Sequence, residues 1–196
     1  MFFDLPSSKG FLLAGGAALL AQHLTSRPTQ DLDFFTRPGA GEVQQAKSEF
    51  IAAASGQGWP VEQIQDSATF CRLLVHGPED LLVDIALDSA PGAASSASIA
   101  GPTFAPPELA GRKVVALFDR AAARDFIDVF MLSARYSKPE LLQLAAQVDA
   151  GFDYDVFADM IDNLRRYRDT DLTLGGVDVY ELRAFFDGWL IELRSR

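Results

Sequence analysis

The sequence predicts an α+β fold in which an N-terminal mixed sheet with helices is followed by a helical module. Three observations predict it. Short apolar runs punctuated by Gly, Pro and charged residues recur over residues 11–87. Residues 89–107 are rich in Ala, Ser, Gly and Pro and nearly free of charge. From Arg112 onward apolar residues recur at helical spacing. The expected division is therefore 1–107 for the α/β module and 108–196 for the helical one.

The elements follow in order. Phe11-Leu12-Leu13-Ala14 reads as a buried strand ending at Gly15-Gly16, and the Ala- and Leu-rich residues 17–24 as a helix. Leu32-Asp33-Phe34-Phe35 is a second strand, closed by Pro38-Gly39. Residues 43–54 carry helical spacing through Val43, Ala46, Phe50 and Ala53. Residues 69–75 and 81–87 read as strands around the turn His76-Gly77-Pro78, and residues 89–107 as a loop or linker. Helices are expected over 112–124, 126–134, 139–148, 154–163 and 179–193. Pro139 suits a first-turn position with Ser137 or Lys138 near its cap.

Composition narrows the function classes. Among 196 residues, 17 Lys and Arg face 27 Asp and Glu, a formal charge of −10 that argues against a broad nucleic-acid footprint. No run of about 18 apolar residues is present, so a membrane span is not expected. The opening MFFDLPSSKG has neither the basic start nor the apolar core of a signal peptide. Cys71 is the sole cysteine, which fits a reducing cytoplasm.

The chemistry concentrates in FLLAGGAALLAQHLTSRPTQDLDFF, residues 11–35. Strand alternation places Asp31 and Asp33 on one face, with Leu32 and Phe34 on the other. Two carboxylates so placed repel each other unless a cation lies between them, and hard oxygen donors suit Mg²⁺ or Mn²⁺ completed by substrate phosphates. Gly15 and Gly16 would allow close backbone approach to phosphate at the start of a helix. A simple turn and a solvated strand face are the bland readings of each motif alone. Their order, strand, glycine pair, helix, loop and Asp-x-Asp strand, favours a metal–triphosphate site.

That order resembles the polymerase-β nucleotidyltransferase superfamily, and within it the AbiEii/AbiGii toxin family of bacterial nucleotidyltransferases. The resemblance covers residues 11–132 and assigns further positions. Thr29 matches the family's hydroxyl before the carboxylate pair, and Arg27 the basic residue before it. Lys113 in GRKVVALFDR matches the later lysine, and Arg124-Asp125 with Asp128 in ARDFIDVF the basic–acidic motif. Two features depart from the pattern: the glycine-to-aspartate gap is slightly longer, and Ala17 stands where many relatives have Thr.

The resemblance implies a polymerase-β-like sheet completed by the helical module, and transfer of NMP from an NTP with release of pyrophosphate. It implies an RNA acceptor such as the tRNA 3′ end, and a cognate antitoxin. Asp31, Asp33, Lys113 and Asp125 are the catalytic candidates. Gly15, Gly16, Arg27, Thr29, Lys113 and Arg124 are the nucleotide-binding candidates. Many superfamily members use a third carboxylate, for which Asp84 in LLVDIAL is the candidate alongside Asp31 and Asp33 as metal ligands. The alternative for Asp84 is a strand-end charge facing solvent. Asp128 reads equally as an i,i+4 partner of Arg124. In relatives the hydroxyl beside the metal pair can be phosphorylated, which would set charge at Thr29 against a triphosphate.

Other residues carry less. His23 and His76 lack zinc spacing, and His23 reads as capping or packing near the first helix. Cys71 reads as a buried structural thiol. Arg165, Arg166 and Arg168 are either a solvated helix end or a phosphate-backbone contact. Two other functions fit the same residues: a nucleotidyltransferase acting on small cationic molecules, as in antibiotic resistance, and a non-catalytic binding module that retains the fold.

Overall fold

The computed structural model describes residues 1–195, which form two compact units: residues 1–21 with 29–105, and residues 22–28 with 106–195. The α+β class expected from the sequence is the one the chain adopts.

The first unit is built on a seven-stranded mixed sheet. Its strands are β1 (Phe11–Ala14), β2 (Asp31–Thr36), β3 (Val61–Asp66), β4 (Phe70–His76), β5 (Asp80–Leu87), β6 (Ser96–Ser98) and β7 (Gly101–Thr103), in the order β3-β4-β5-β2-β1-β7-β6. β2 pairs parallel with β5 and antiparallel with β1. Helix α1 (Gly15–Ala21) joins β1 towards β2, and α2 (Val43–Gly56) packs against β4 and β5.

Alternation along the central strands separates two faces. Phe11, Leu13, Phe34, Leu73, Val75, Val83 and Ile85 share one face and are all buried. Phe2 stacks on Phe34 with ring centroids 3.8 Å apart, and Phe50 of α2 lies against Phe2. Each such side chain, fully withdrawn from water, contributes about 1.5–3 kcal/mol. Cys71 belongs to this apolar face and is wholly buried. The opposite face carries Asp31, Asp33, Asp84 and Arg72.

The sequence expectation missed three strands. β3 has five exposed residues of six, so it lacks the apolar alternation that marks a half-buried strand. β6 and β7 are three-residue strands inside the stretch expected to be a loop.

The second unit consists of α3 (Pro106–Arg120), α4 (Ala123–Leu132), α5 (Lys138–Val148), α6 (Tyr154–Asp162) and α7 (Val179–Arg194), with short 3₁₀ turns between α6 and α7. The expected boundary between the first two helices lies elsewhere. Ala121 takes a left-handed backbone (φ 45°) that ends α3 and places Arg124 and Asp125 in the first turn of α4. Its carbonyl accepts a 2.9 Å hydrogen bond from the Tyr167 hydroxyl. Ser137 caps α5 in a reciprocal capping box with Glu140, and Pro139 occupies the first turn. Gly111 lets α3 lie close to α5, because a Cβ there would stand 2.5 Å from the Leu144 carbonyl oxygen. Phe126, Phe157, Phe186 and Trp189 form an aromatic core with centroid separations of 5.1–6.1 Å. Among the described residues, no helix is long and apolar enough to cross a membrane.

Candidate active site

On the polar face of the sheet, strand register brings distant charges into one row. Parallel pairing of β2 with β5 sets Asp33 opposite Asp84, and antiparallel pairing of β5 with β4 sets Asp84 opposite Arg72. Neighbouring strands lie about 4.8 Å apart, so Asp33, Asp84 and Arg72 are successive neighbours, with Asp31 two residues along β2 on the same face.

Arg72 grips Asp84 with both arms of its fork. Nε donates to Oδ1 at 2.8 Å and Nη2 to Oδ2 at 2.6 Å. Asp84 is 8 % exposed, so it is not a solvated strand-end charge. The hydrogen bond to Asp84 raises the Arg72 pKa, and the charges of Asp33 and Asp31 act in the same direction. Arg72 therefore lies in the field of all three carboxylates.

Gly15 is fitted to Asp33. Its backbone is left-handed (φ 60°), and a Cβ at this position would stand 1.8 Å from Asp33 Oδ2. The first glycine of the pair thus makes room for a carboxylate, while Gly16 is buried in the first turn of α1. At seven residues α1 is short, so little helix-dipole charge accumulates at its start. The Thr29 hydroxyl accepts a 3.3 Å hydrogen bond from the Asp31 amide and shapes the entry to β2. His23 follows α1 in a left-handed conformation (φ 55°) and is exposed.

The donor set suits a hard divalent cation. Asp31 and Asp33 present carboxylate oxygens on one face, and Gly15 leaves the Asp33 carboxylate its space. Asp84 is turned to Arg72. Among the described residues, no group of three or more Asp, Glu, His or Cys is arranged to hold a metal.

The other functional candidates lie in the helical unit, in a buried ionic network. Asp125 and Asp128 on α4 are both fully buried. Lys113 on α3 is 6 % exposed, and its Nζ lies 3.3 Å from Asp125 Oδ1 and 3.1 Å from Asp128 Oδ2. Arg120 binds Asp125 at 2.8 and 2.9 Å, and Arg27 binds Asp128 at 2.9 and 3.0 Å. The Thr25 hydroxyl adds a 3.3 Å bond to Asp128 Oδ1. Burial favours the neutral form of Asp125, but the hydrogen bonds of Arg120 and the charge of Lys113 outweigh it and hold the pKa below the usual carboxylate value. Three cations thus surround two carboxylates. Arg124 is exposed in the same first turn of α4.

The other basic cluster is largely neutralised. Arg165 pairs with Asp162 at 3.0 Å and Arg168 with Asp171 at 3.1 Å.

A family model described as nucleotidyl transferase AbiEii toxin, type IV toxin–antitoxin system, matches residues 2–179. The chain belongs to the AbiEii nucleotidyltransferase toxin family. A comparison with curated proteins found no match. Among solved structures, JHP933 from Helicobacter pylori is similar at a TM-score of 0.64 and 20 % identity, over 96 % of this chain and 85 % of that one. A candidate nucleotidyltransferase from H. pylori is similar at 0.66 and 19 % identity, over 96 % and 88 %. MenT4, a nucleotidyltransferase toxin of Mycobacterium tuberculosis, gives 0.48 and 19 % identity over 84 % and 62 %. The two H. pylori structures support the fold. Membership in the AbiEii family makes the chain a nucleotidyltransferase of a type IV toxin–antitoxin system and implies a cognate antitoxin.

Within this AbiEii chain, two charged residues of consequence escaped the reading of the sequence. Arg72 had a usable signal: with His76 opposite Asp80 closing the hairpin, antiparallel counting pairs Arg72 with Asp84. Arg120 had a weaker one, since only the break at Ala121 lets it return to Asp125 five residues later.

Proposed function

We propose that this protein catalyses Mg²⁺-dependent transfer of a nucleoside monophosphate from an NTP to an RNA acceptor, with the tRNA 3′ end as the expected substrate. The observation that supports this reading best is the row Gly15, Asp33, Asp84 and Arg72 with Asp31 beside it. The acceptor oxygen forms a bond to the α-phosphorus while the bond to pyrophosphate breaks, and pyrophosphate and the hydroxyl proton are released. Asp31 and Asp33 hold Mg²⁺ (Mn²⁺ would serve the same donors), which supplies neutralisation of phosphate charge. Thr29 keeps the turn into β2 in place. In the helical unit, Asp125 orients Lys113 and Arg120, and Arg124 is exposed in the first turn of α4. Arg27 acts through Asp128, to which its guanidinium is committed.

Purified protein incubated with tRNA, Mg²⁺ and each of four α-labelled NTPs should label the tRNA with at least one nucleotide, and Asp31→Asn should abolish labelling. No transfer from any NTP would count against the RNA acceptor. A second acceptor class is favoured by the formal charge of −10 and by the neutralised Arg165 and Arg168. An acidic protein attracts small cationic molecules. Protection of cells against a cationic antibiotic, in place of growth inhibition, would establish that reading. A non-catalytic module would inhibit growth equally well as the Asp31→Asn variant.

A further inference from the structure

We propose that Arg72 is a latch that withholds Asp84 from the divalent cation until phosphate draws the guanidinium away. The inference rests on the metal–nucleotide reading of Asp31 and Asp33 given above. Three observations carry it. First, register alone would make Asp84 a neighbour of Asp33 on the same face, the place for a third oxygen donor. Second, each Asp84 oxygen already accepts a hydrogen bond from a bidentate guanidinium, at 2.8 and 2.6 Å, which turns the carboxylate towards Arg72. Third, the two partners differ in access: the Asp84 side chain is 11 % exposed, whereas that of Arg72 is 41 % exposed. The buried carboxylate is held in place by its strand. The half-exposed guanidinium is the partner that can leave.

The chemistry gives the exchange a direction. A guanidinium fork matches a phosphate as well as it matches a carboxylate. When an anionic phosphate arrives, Arg72 can trade one bidentate acceptor for another, and Asp84 joins Asp31 and Asp33 as a hard oxygen donor. Without phosphate, the guanidinium lies in the field of the same carboxylates that would attract a cation. Arg72 is thus a positioning residue that ties completion of the metal site to the presence of substrate. A cross-strand ion pair that serves only folding has no such effect.

The test uses the full chain and Mn²⁺ alone, read by electron paramagnetic resonance or calorimetry, with NTP kinetics measured separately. Removing the fork should tighten Mn²⁺ binding in the absence of nucleotide by about three- to tenfold, while KM for the NTP rises. Arg72→Lys separates the latch from simple charge repulsion, because it retains the charge and loses the fork. The latch predicts tighter Mn²⁺ binding in both Arg72→Ala and Arg72→Lys, and loss of the gain when Asp84→Asn is added to either. Unchanged or weaker Mn²⁺ binding in Arg72→Lys overturns it, as does a gain that survives Asp84→Asn. If Mn²⁺ fails to bind the wild-type chain, or binds equally well after Asp31→Asn, the underlying metal reading fails and the latch falls with it. If Mn²⁺ binding depends on Asp31 but not on the Arg72 fork, only the latch is lost.

Discussion

Arg27 and Asp128 stand 101 positions apart in the chain and share a two-armed hydrogen bond of 2.9 and 3.0 Å inside the helical unit. Their side chains are 6 % and 0 % exposed, so neither charge can fall back on water if its partner is removed. Breaking such a pair from one side should destabilise the unit by about 3–5 kcal/mol. Arg27→Ala and Asp128→Ala should each lower the urea midpoint substantially, whereas replacing both with packed apolar residues should cost much less. A double-mutant cycle by urea unfolding measures the difference.

Gly15→Ala probes the contact with Asp33. The new Cβ would stand 1.8 Å from Oδ2, and an L residue at φ 60° adds backbone strain of about 1–2 kcal/mol. The Asp33 carboxylate must move. Transferase activity should therefore fall at least about tenfold, the equivalent of 1.4 kcal/mol in the barrier, while the protein stays folded by circular dichroism. A variant of normal activity would show that the carboxylate position is not critical.

Asp125 gives a signed pH dependence. Its pKa in the folded protein is lowered, so its contribution to stability is fully present above the unfolded value of about 3.9. That contribution is lost as pH falls through the lower folded value. Below about pH 4, wild-type stability should fall with a steeper slope than that of Asp125→Asn. Urea midpoints measured from pH 6 downward provide the comparison. Parallel slopes in the two proteins would show that Asp125 is not a linked group.

Cys71 should be chemically silent. Burial pushes its thiol up to about 11, and its side chain sits on the apolar face of the sheet. A disulfide reagent at pH 8 should react slowly with native protein and promptly after unfolding in urea. Rapid reaction of the native chain would mean that β4 opens readily.

Much of the fold could be read from local patterns. Phe11–Ala14, Asp31–Thr36 and Asp80–Leu87 announce themselves because their apolar residues meet a core. Val61–Asp66 does not, since a strand with solvent on most of its residues needs no apolar pattern. The turn from α3 to α4 has no local signal, because Ala121 belongs to the residue type that best continues a helix, and only tertiary packing explains its reversal. For the site, Asp31 and Asp33 show through two-residue spacing. What Asp84 touches depends on hairpin register, and what Asp128 touches depends on a partner before the whole sheet is complete. No local pattern carries the second relationship.

The helical unit incorporates residues 22–28, so its parts are made at well-separated times during translation. Arg27 leaves the ribosome before most of the sheet exists, and the aspartate that receives it comes a hundred residues later. A chain arrested before α4 has both Asp31 and Asp33 but lacks Lys113's acidic partners and leaves Arg27 without Asp128. A helical fragment made alone lacks Arg27 altogether. For a toxin this interleaving has a protective effect: the helical unit cannot be completed from the residues after 105 alone, and a product truncated before α4 cannot assemble the whole set of charges.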